Sequence, residues 1–447
     1  MIASDGVFAA SVAVMVLFVG LSFPLSAYAA TTDEEWPAPA SSMGKKRREG
    51  LPVFNVDDLR VEWGGFIDDA APISAVLFHG AISVKGQVDA GLEYALGVRL
   101  DGYSQSGGQK YTDTTLDYTE NYLRWRNADM RFTLGTQNIL WGRVDETPPV
   151  DRLSRVDLSR FVLDKLPERR RAVPAVRFER FLGDYKLDAA WVPVFTPAVV
   201  PDTRSIWHMV NQTSGRILGV AGIPTGLVQN ASLIEGKEDG GGGGLRLTRA
   251  GGRLDYGLSF QYARQSVPYY RLTALGPTPI FTSVHPYSWI LGGEMETQIA
   301  GATWRLESAW SSDIPVTTWA TSRYRTEPAA DLIIGVEFFP GDSDTRVTLQ
   351  LAGHKTYVGE AVFDRTEIVA FNGEIEHPFA HGRWRANLRF MAGVNERDVY
   401  LSPKITYFGL DQHEFYLAAH IFSGAEGTLG GFHRQHDLVT VGWQARF

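Results

Sequence analysis

Arg143, Arg152, Arg155, Arg160, Lys165, Arg169, Arg170 and Arg171 lie among Asp145, Glu146, Asp151, Asp157, Asp164 and Glu168 in the stretch from Gly142 to Arg171. Charge of both signs at this density cannot form an apolar core. The stretch is either a solvated surface loop or a loop folded into a water-filled lumen, and loops this long inside an ordered protein tend to be functional. The chemistry it suggests is charge selection at a constriction. Arginine supplies fixed positive charge and planar donors for carboxylates, and the acidic residues hold the arginines in place. The candidate pore residues are therefore Arg143, Asp151, Arg155, Asp157, Arg169, Arg170 and Arg171 from the loop, with Arg131, Gln137, Arg177 and Glu179 on the adjoining wall.

Other chemical signals are weaker. Gly240 to Gly244 lacks the Lys-Ser/Thr of a phosphate loop and reads as a flexible loop. His433-x-x-His436 could seat a metal ion, but no third ligand can be assigned, so solvated loop histidines are expected. His354 and His420 project from strand-like segments, but no Ser or acid partner can be placed beside them, so an enzyme is not expected. Tyr269, Tyr270, Phe281, Tyr287 and Trp289 flank an apolar-rich loop at 265–287, either as interface aromatics or as a mouth that touches an apolar ligand. No cofactor is implied.

Cys is absent, which excludes disulfides, thiolate metal sites and iron–sulfur clusters. The formal net charge is −8, so bulk electrostatics suggests no nucleic-acid partner. Val7 to Leu21 is almost wholly apolar and Ala27-Tyr28-Ala29 is a small-x-small cleavage site, so residues 1–29 read as a secretory signal peptide, although the segment before the apolar run carries Asp5 and no Lys or Arg. Residues 30–60 are polar and Pro-rich and read as a disordered periplasmic lead-in. After Ala30 no apolar run approaches the roughly 20 residues of a spanning helix. Such a chain can still be integral to a membrane as a closed barrel.

From Val61 to Phe447 about 18 strand-like segments follow one another, with 16–18 as the expected range. Leu254, Tyr256, Leu258, Phe260 and Tyr262 oppose Arg253, Asp255, Ser259 and Gln261; Trp384, Ala386, Leu388 and Phe390 oppose Arg385, Asn387 and Arg389. Period-two alternation marks strands with different solvents on their two faces. Three features favour a transmembrane antiparallel β-barrel over a soluble sandwich. Trp191, Trp304, Trp310, Trp384 and Trp443 sit near the ends of apolar rows, as interfacial girdles do. The polar rows carry opposite charges close together, such as Arg177 with Glu179. Short turns alternate with long connections at 142–173, 196–242, 265–287, 312–330, 356–365 and 423–437, which fits short periplasmic turns and long extracellular loops. The last strand ends on Phe447, resembling the strand that the outer-membrane assembly machinery recognises, and this places both termini in the periplasm.

Leu134-Gly-Thr-Gln-Asn-Ile-Leu-Trp-Gly-Arg143, Leu163-Asp-Lys-Leu-Pro-Glu-Arg-Arg-Arg-Ala-Val-Pro-Ala-Val-Arg177 and Trp191-Val-Pro-Val-Phe-Thr-Pro197 resemble an uncharacterised family of proteobacterial outer-membrane barrels. More distantly the chain is similar to the alginate-export porins, which share the Leu-Gly-x-Gln strand end. The resemblance covers about 65 residues and is architectural elsewhere. The chain departs from the family at Thr136, where Arg is usual, and at Ser154-Arg155, where Asn-Pro is usual. The resemblance implies an outer-membrane barrel among lipids, with an exporter of the resistance-nodulation-division type as a partner. Residues and resemblance together suggest a channel for a small or polymeric solute, selected by charge. The alternative is a scaffold or exporter-associated barrel with a blocked lumen, docking partner proteins through 196–242.

Overall fold

The computed structural model describes residues 52–68 and 72–447. The signal peptide expected over 1–29, and the lead-in before residue 52, lie outside the described residues. The strands are β1 (Val53–Phe66), β2 (Ser74–Gln87), β3 (Leu92–Ser106), β4 (Tyr111–Tyr118 continued by Asn121–Arg126), β5 (Met130–Gln137) and β6 (Val173–Leu182). Next come β7 (Tyr185–Val192), β8 (Gly242–Arg249), β9 (Leu254–Arg264), β10 (Tyr287–Ile299), β11 (Ala302–Thr317) and β12 (Tyr324–Phe338). The last six are β13 (Arg346–Thr356), β14 (Glu367–Phe379), β15 (Trp384–Gly393), β16 (Asp398–Leu410), β17 (His413–Gly424) and β18 (Leu438–Ala445).

Each strand pairs antiparallel with its neighbours in sequence, and β1 pairs with β18 from Leu59↔Ala445 to Phe66↔Leu438. Both halves of β4 pair with β3 and continue one another, so the closed barrel has 18 strands. Closure satisfies every backbone group between strands, which is the condition for crossing hydrocarbon. The alternation read from the sequence is the division between the two faces. On β9, Leu258 points outward and is 62% exposed, whereas Gln261 points inward and is 0% exposed. Trp304 and Trp384 lie outward close to the rim that holds both ends of the barrel chain; Trp191 and Trp289 lie outward near the opposite rim. We call these the terminal rim and the loop rim. Replacing Leu258 by Arg should cost about 2–4 kcal/mol, as a cation at the midplane of a barrel's lipid face does; urea unfolding from lipid vesicles measures it.

Four expectations about the strands and their connections are corrected. The first strand starts at Val53, inside the stretch expected to be a disordered lead-in. Its early part, Val53 to Asp58, does not keep the period of two because a register shift between Val56 and Asp58 breaks it. The long connection expected at 312–330 is mostly strand, since β11 runs to Thr317 and β12 begins at Tyr324. A register shift between Ser311 and Ile314 carries the pair across the polar Ser312-Asp313, which reads as loop in the sequence. Gly242 to Gly244, expected to be flexible, form the start of β8. Tyr270 and Phe281 do not line an open mouth. The segments Tyr269–Ala274 and Ile280–Val284 pair as a hairpin, Ser232–Ile234 adds to it in parallel, and Phe281 is buried.

Candidate functional site: the loop across the lumen

An 18-stranded barrel is too wide for wall side chains alone to fill. Here the connection 138–172 between β5 and β6 folds inward. One side of it is apolar. Ile139, Trp141, Val150 and Leu153 pack on Val173, Ala175, Ala190, Val192, Ala263, Ile290 and Ala309, the small inward residues of β6, β7, β9, β10 and β11. Two wall glycines make room: a Cβ on Gly244 would lie 2.9 Å from the Trp141 ring, and one on Gly292 would lie 2.4 Å from Val150 Cγ1. The Trp141 indole N–H donates to Asp188 at 3.1 Å.

A second, fully buried carboxyl group anchors this side through the backbone. Glu307 on β11 is 0% exposed and accepts the backbone N–H groups of Arg143 (2.9 Å), Val150 (3.1 Å) and Val144 (3.3 Å). A buried acceptor facing several orphan N–H groups fixes a loop because none of them has water as an alternative partner.

The charged side chains of the loop reach around the wall. Arg143 meets Glu294 at 2.9 Å, Arg152 meets Asp331 at 3.4 Å, Asp145 accepts from Gln350 at 3.1 Å, and Lys165 pairs with Glu374. Glu146 takes both arms of Arg389, each at 2.7 Å. Arg155 reaches Asp117 at 2.6 Å, and Arg171 reaches Asp101 at 3.0 Å and also pairs with Asp157. Arg160 and Arg60 share Glu62 and Asp164. Desolvation makes such pairs weak sources of net stability, but a broken pair is costly, so they fix where the loop sits. Burial lifts the Asp151 and Asp157 carboxyls above their ordinary range, with Arg170 offsetting it in part at Asp151 and the Ser159 bonds at Asp157. Burial would lift Asp164 too, but Arg160 and Arg60 outweigh it and hold that carboxyl low.

Between the loop and strands β1 to β4 a passage of about 320 Å³ remains. Its lining runs from Asp58 and Arg446 near the terminal rim, past Arg60, His79 and Asp101, to Tyr111 and Asp202 at the loop rim.

Of the pore residues picked from the sequence, Asp157 and Arg170 line this passage. Arg143, Asp151, Arg155, Arg169 and Arg171 stand behind them as loop braces: Asp151 takes Arg170 at 3.0 Å and Arg169 lies 3.9 Å from Glu146. Arg131, Arg177 and Glu179 form a separate wall cluster with Asp188 and Lys186, where Glu179 meets Arg131 at 3.3 Å. Gln137 is buried and bonds the Ala175 carbonyl at 3.1 Å. Glu307, Arg60, Glu62, Arg99, Asp101 and Asp113 were missed. The inward position of Glu62, Arg99, Asp101 and Glu307 was legible from alternation, whereas Arg60 fell in the expected lead-in and Asp113 between expected strands; nothing in the sequence ties any of them to the loop.

The segment 193–241 folds over the loop rim as a lid. Ile206 and Trp207 pack on Tyr400, Phe422 and Leu438, while Val210, Ile217, Val228 and Ala231 form a second core with Phe281. The Trp207 indole donates to Tyr103 at 3.1 Å and its ring lies 5.0 Å from that of His433. His433 and His436, expected to be solvated, are buried with their Nδ1 atoms 3.0 Å apart. The lid's Trp207 covers them, a contact between segments more than 200 residues apart. Burial pushes His433 well down, and pushes His436 from the ordinary 6.5 to about 4, with Asp68 opposing. The sign follows from the lowered values: this packing contributes fully above pH 6.5 and loses its contribution as pH falls toward 4. Asp364, raised by burial to about 6 and holding Tyr269 and Thr317, works the other way and does not drive release. Proteolysis at the lid is expected to accelerate as pH is lowered through this window, and a His433→Phe/His436→Phe double variant should lose that dependence.

No protein-family model matches the chain, and no curated protein is similar to it in sequence. Solved structures share its fold. OccAB1 of Acinetobacter baumannii is 8% identical, with 88% of this chain and 96% of that chain covered and a TM-score of 0.53. OccK5 (OpdH) of Pseudomonas aeruginosa is 10% identical, with 89% of this chain and 98% of that chain covered and a TM-score of 0.50. At these identities the likeness is one of fold: the chain is a closed, porin-like antiparallel barrel of 18 strands.

Proposed function

We propose that the chain is an outer-membrane channel whose lumen is narrowed by the loop 138–172 to a charged passage. The observation that carries this reading is the passage itself, which extends between the charged side of the loop and strands β1 to β4 from one rim toward the other. Tethering on all sides supports a fixed constriction rather than a mobile flap, and charge selection at that point is the mechanism. The volume favours a small solute over a polymer. The terminal rim, with its short turns, faces the periplasm, the lid faces outward, and β18 with Phe447 serves recognition by the assembly machinery. The resemblance over residues 134–197 supports a place beside a resistance-nodulation-division exporter.

A channel is favoured over an enzyme. His354 does meet Asp331 at 2.7 Å and Thr356 at 3.0 Å, but Thr356 is buried, which leaves no room for an ester or peptide at its hydroxyl. A second reading rests on the lid. Its two apolar cores support a barrel closed at rest, or one that docks a partner through 193–241. Single-channel recording of the refolded protein in a planar bilayer separates the two. Steady conductance at neutral pH is the expected result; a barrel that inserts and stays silent at every pH would overturn the channel.

A further inference from the structure

The arginines of the loop suggest at first an anion path. The geometry points to the opposite sign: we infer that the passage selects small organic cations, amines or guanidines of about amino-acid size. This rests on the channel reading and adds the class of solute.

Seven carboxylates and five arginines line the passage. Each arginine is ion-paired with at least one protein carboxylate. Arg160 is 5% exposed between Glu62 and Asp164; Arg60, 11% exposed, holds Glu62 at 3.0 Å and Asp164 at 3.1 Å. Arg99 is bound to Asp101 at 2.7 Å and Arg170 to Asp151 at 3.0 Å. The remaining one, Arg446, is open to solvent at the terminal rim but lies 3.7 Å from Asp58 and 3.6 Å from Glu414. The carboxylates are more numerous, and two of them are less covered than any of the arginines apart from Arg446. Glu168 is 37% exposed and lies 3.6 Å from Arg60; Asp202 is 28% exposed and holds both arms of Arg204, at 2.9 and 2.8 Å. Asp113 is exposed, and among the described residues it forms no ion pair.

Water in the passage therefore meets carboxylate oxygens, with the guanidinium groups behind them. A cationic solute can add its N–H donors to lone pairs the arginines leave open. An anion must first separate an arginine from its partner, and such pairs are costly to break when buried. Low-dielectric walls focus the field of the excess carboxylates along the gap. A solute in so narrow a gap lies within a Debye length, roughly 8–10 Å at ordinary ionic strength, of the charges beside it, so salt screens them only partly. The volume of about 320 Å³ is at the small end of ligand cavities, which suits a single amino or guanidino compound.

The test is the reversal potential of the full mature protein in a planar bilayer under a KCl gradient, followed by vesicle uptake of arginine and glutamate. Potassium should be preferred over chloride by about threefold or more at 0.1 M salt, fading toward parity at 1 M, where the Debye length is about 3 Å. Arginine should enter faster than glutamate, and Asp113→Asn with Glu168→Gln should reduce both preferences. Asp113 is unpaired and exposed, so Asp113→Asn alone tests the idea if the double variant folds poorly. A conducting channel that prefers chloride or glutamate overturns the cation assignment and leaves the channel standing. A silent barrel overturns both, and preferences unchanged in the variants overturn the role given to these carboxylates.

Discussion

Glu307→Ala is expected to raise single-channel conductance several-fold and to lower stability by roughly 3–5 kcal/mol, because three backbone N–H groups lose one carboxyl acceptor together. The effect on conductance follows from position. Arg143, Val144 and Val150 are the points where the loop turns against β11, beside the apolar cluster that contains Val150 and Ala309. With the carboxylate gone, those amides seek water and the apolar side of the loop lifts from the wall. Glu307→Gln keeps one acceptor oxygen and should fall between Ala and the parent on both measures. Bilayer recording and the urea midpoint in vesicles give the two values. An Ala variant with parental conductance would mean that the apolar contacts alone hold the loop.

Replacing Arg169, Arg170 and Arg171 together by Ala is the second large effect. These side chains brace the loop through Glu146, Asp151, Asp101 and Asp157. Removing them frees those carboxylates toward the lumen and loosens the segment that borders the passage. Conductance should rise, and the preference for potassium over chloride should increase, since positive charge leaves and negative charge is uncovered. The change in selectivity should be largest at low salt, where the uncovered charges are least screened. Unchanged conductance and unchanged selectivity would remove these arginines from the passage border.

The long charged loop was legible as a functional candidate because Arg143 to Arg171 is too charged for a core and too long for a turn. Which of its residues face solute was not legible. Arg155 and Arg170 look equivalent in the sequence, yet Arg155 bonds the Ala172 carbonyl and Asp117 behind the passage, whereas Arg170 borders it. The apolar side of the loop was missed because Ala175, Ala190, Ala263 and Ala309 are too small to signal a packing surface. Grouped around Trp141 they make one. The histidines near the end of the chain misled for a related reason: a His-x-x-His beside Gly and Arg looks solvated until Trp207 covers it.

The sequence by itself determined the barrel. Lipid outside and water inside impose a period of two on every strand, and the turns between strands are local, so each segment carries its own record of both. The number of strands, the outward rows and the short terminal-rim turns follow from that record. The tertiary structure alone decided the passage. Glu307 and Val150 are 157 residues apart, and Arg389 and Glu146 are 243 apart. Closure of the cylinder through β1 and β18 and the inward fold of one loop bring them together. Pairing over such separations depends on the whole register of the barrel, which no local pattern encodes.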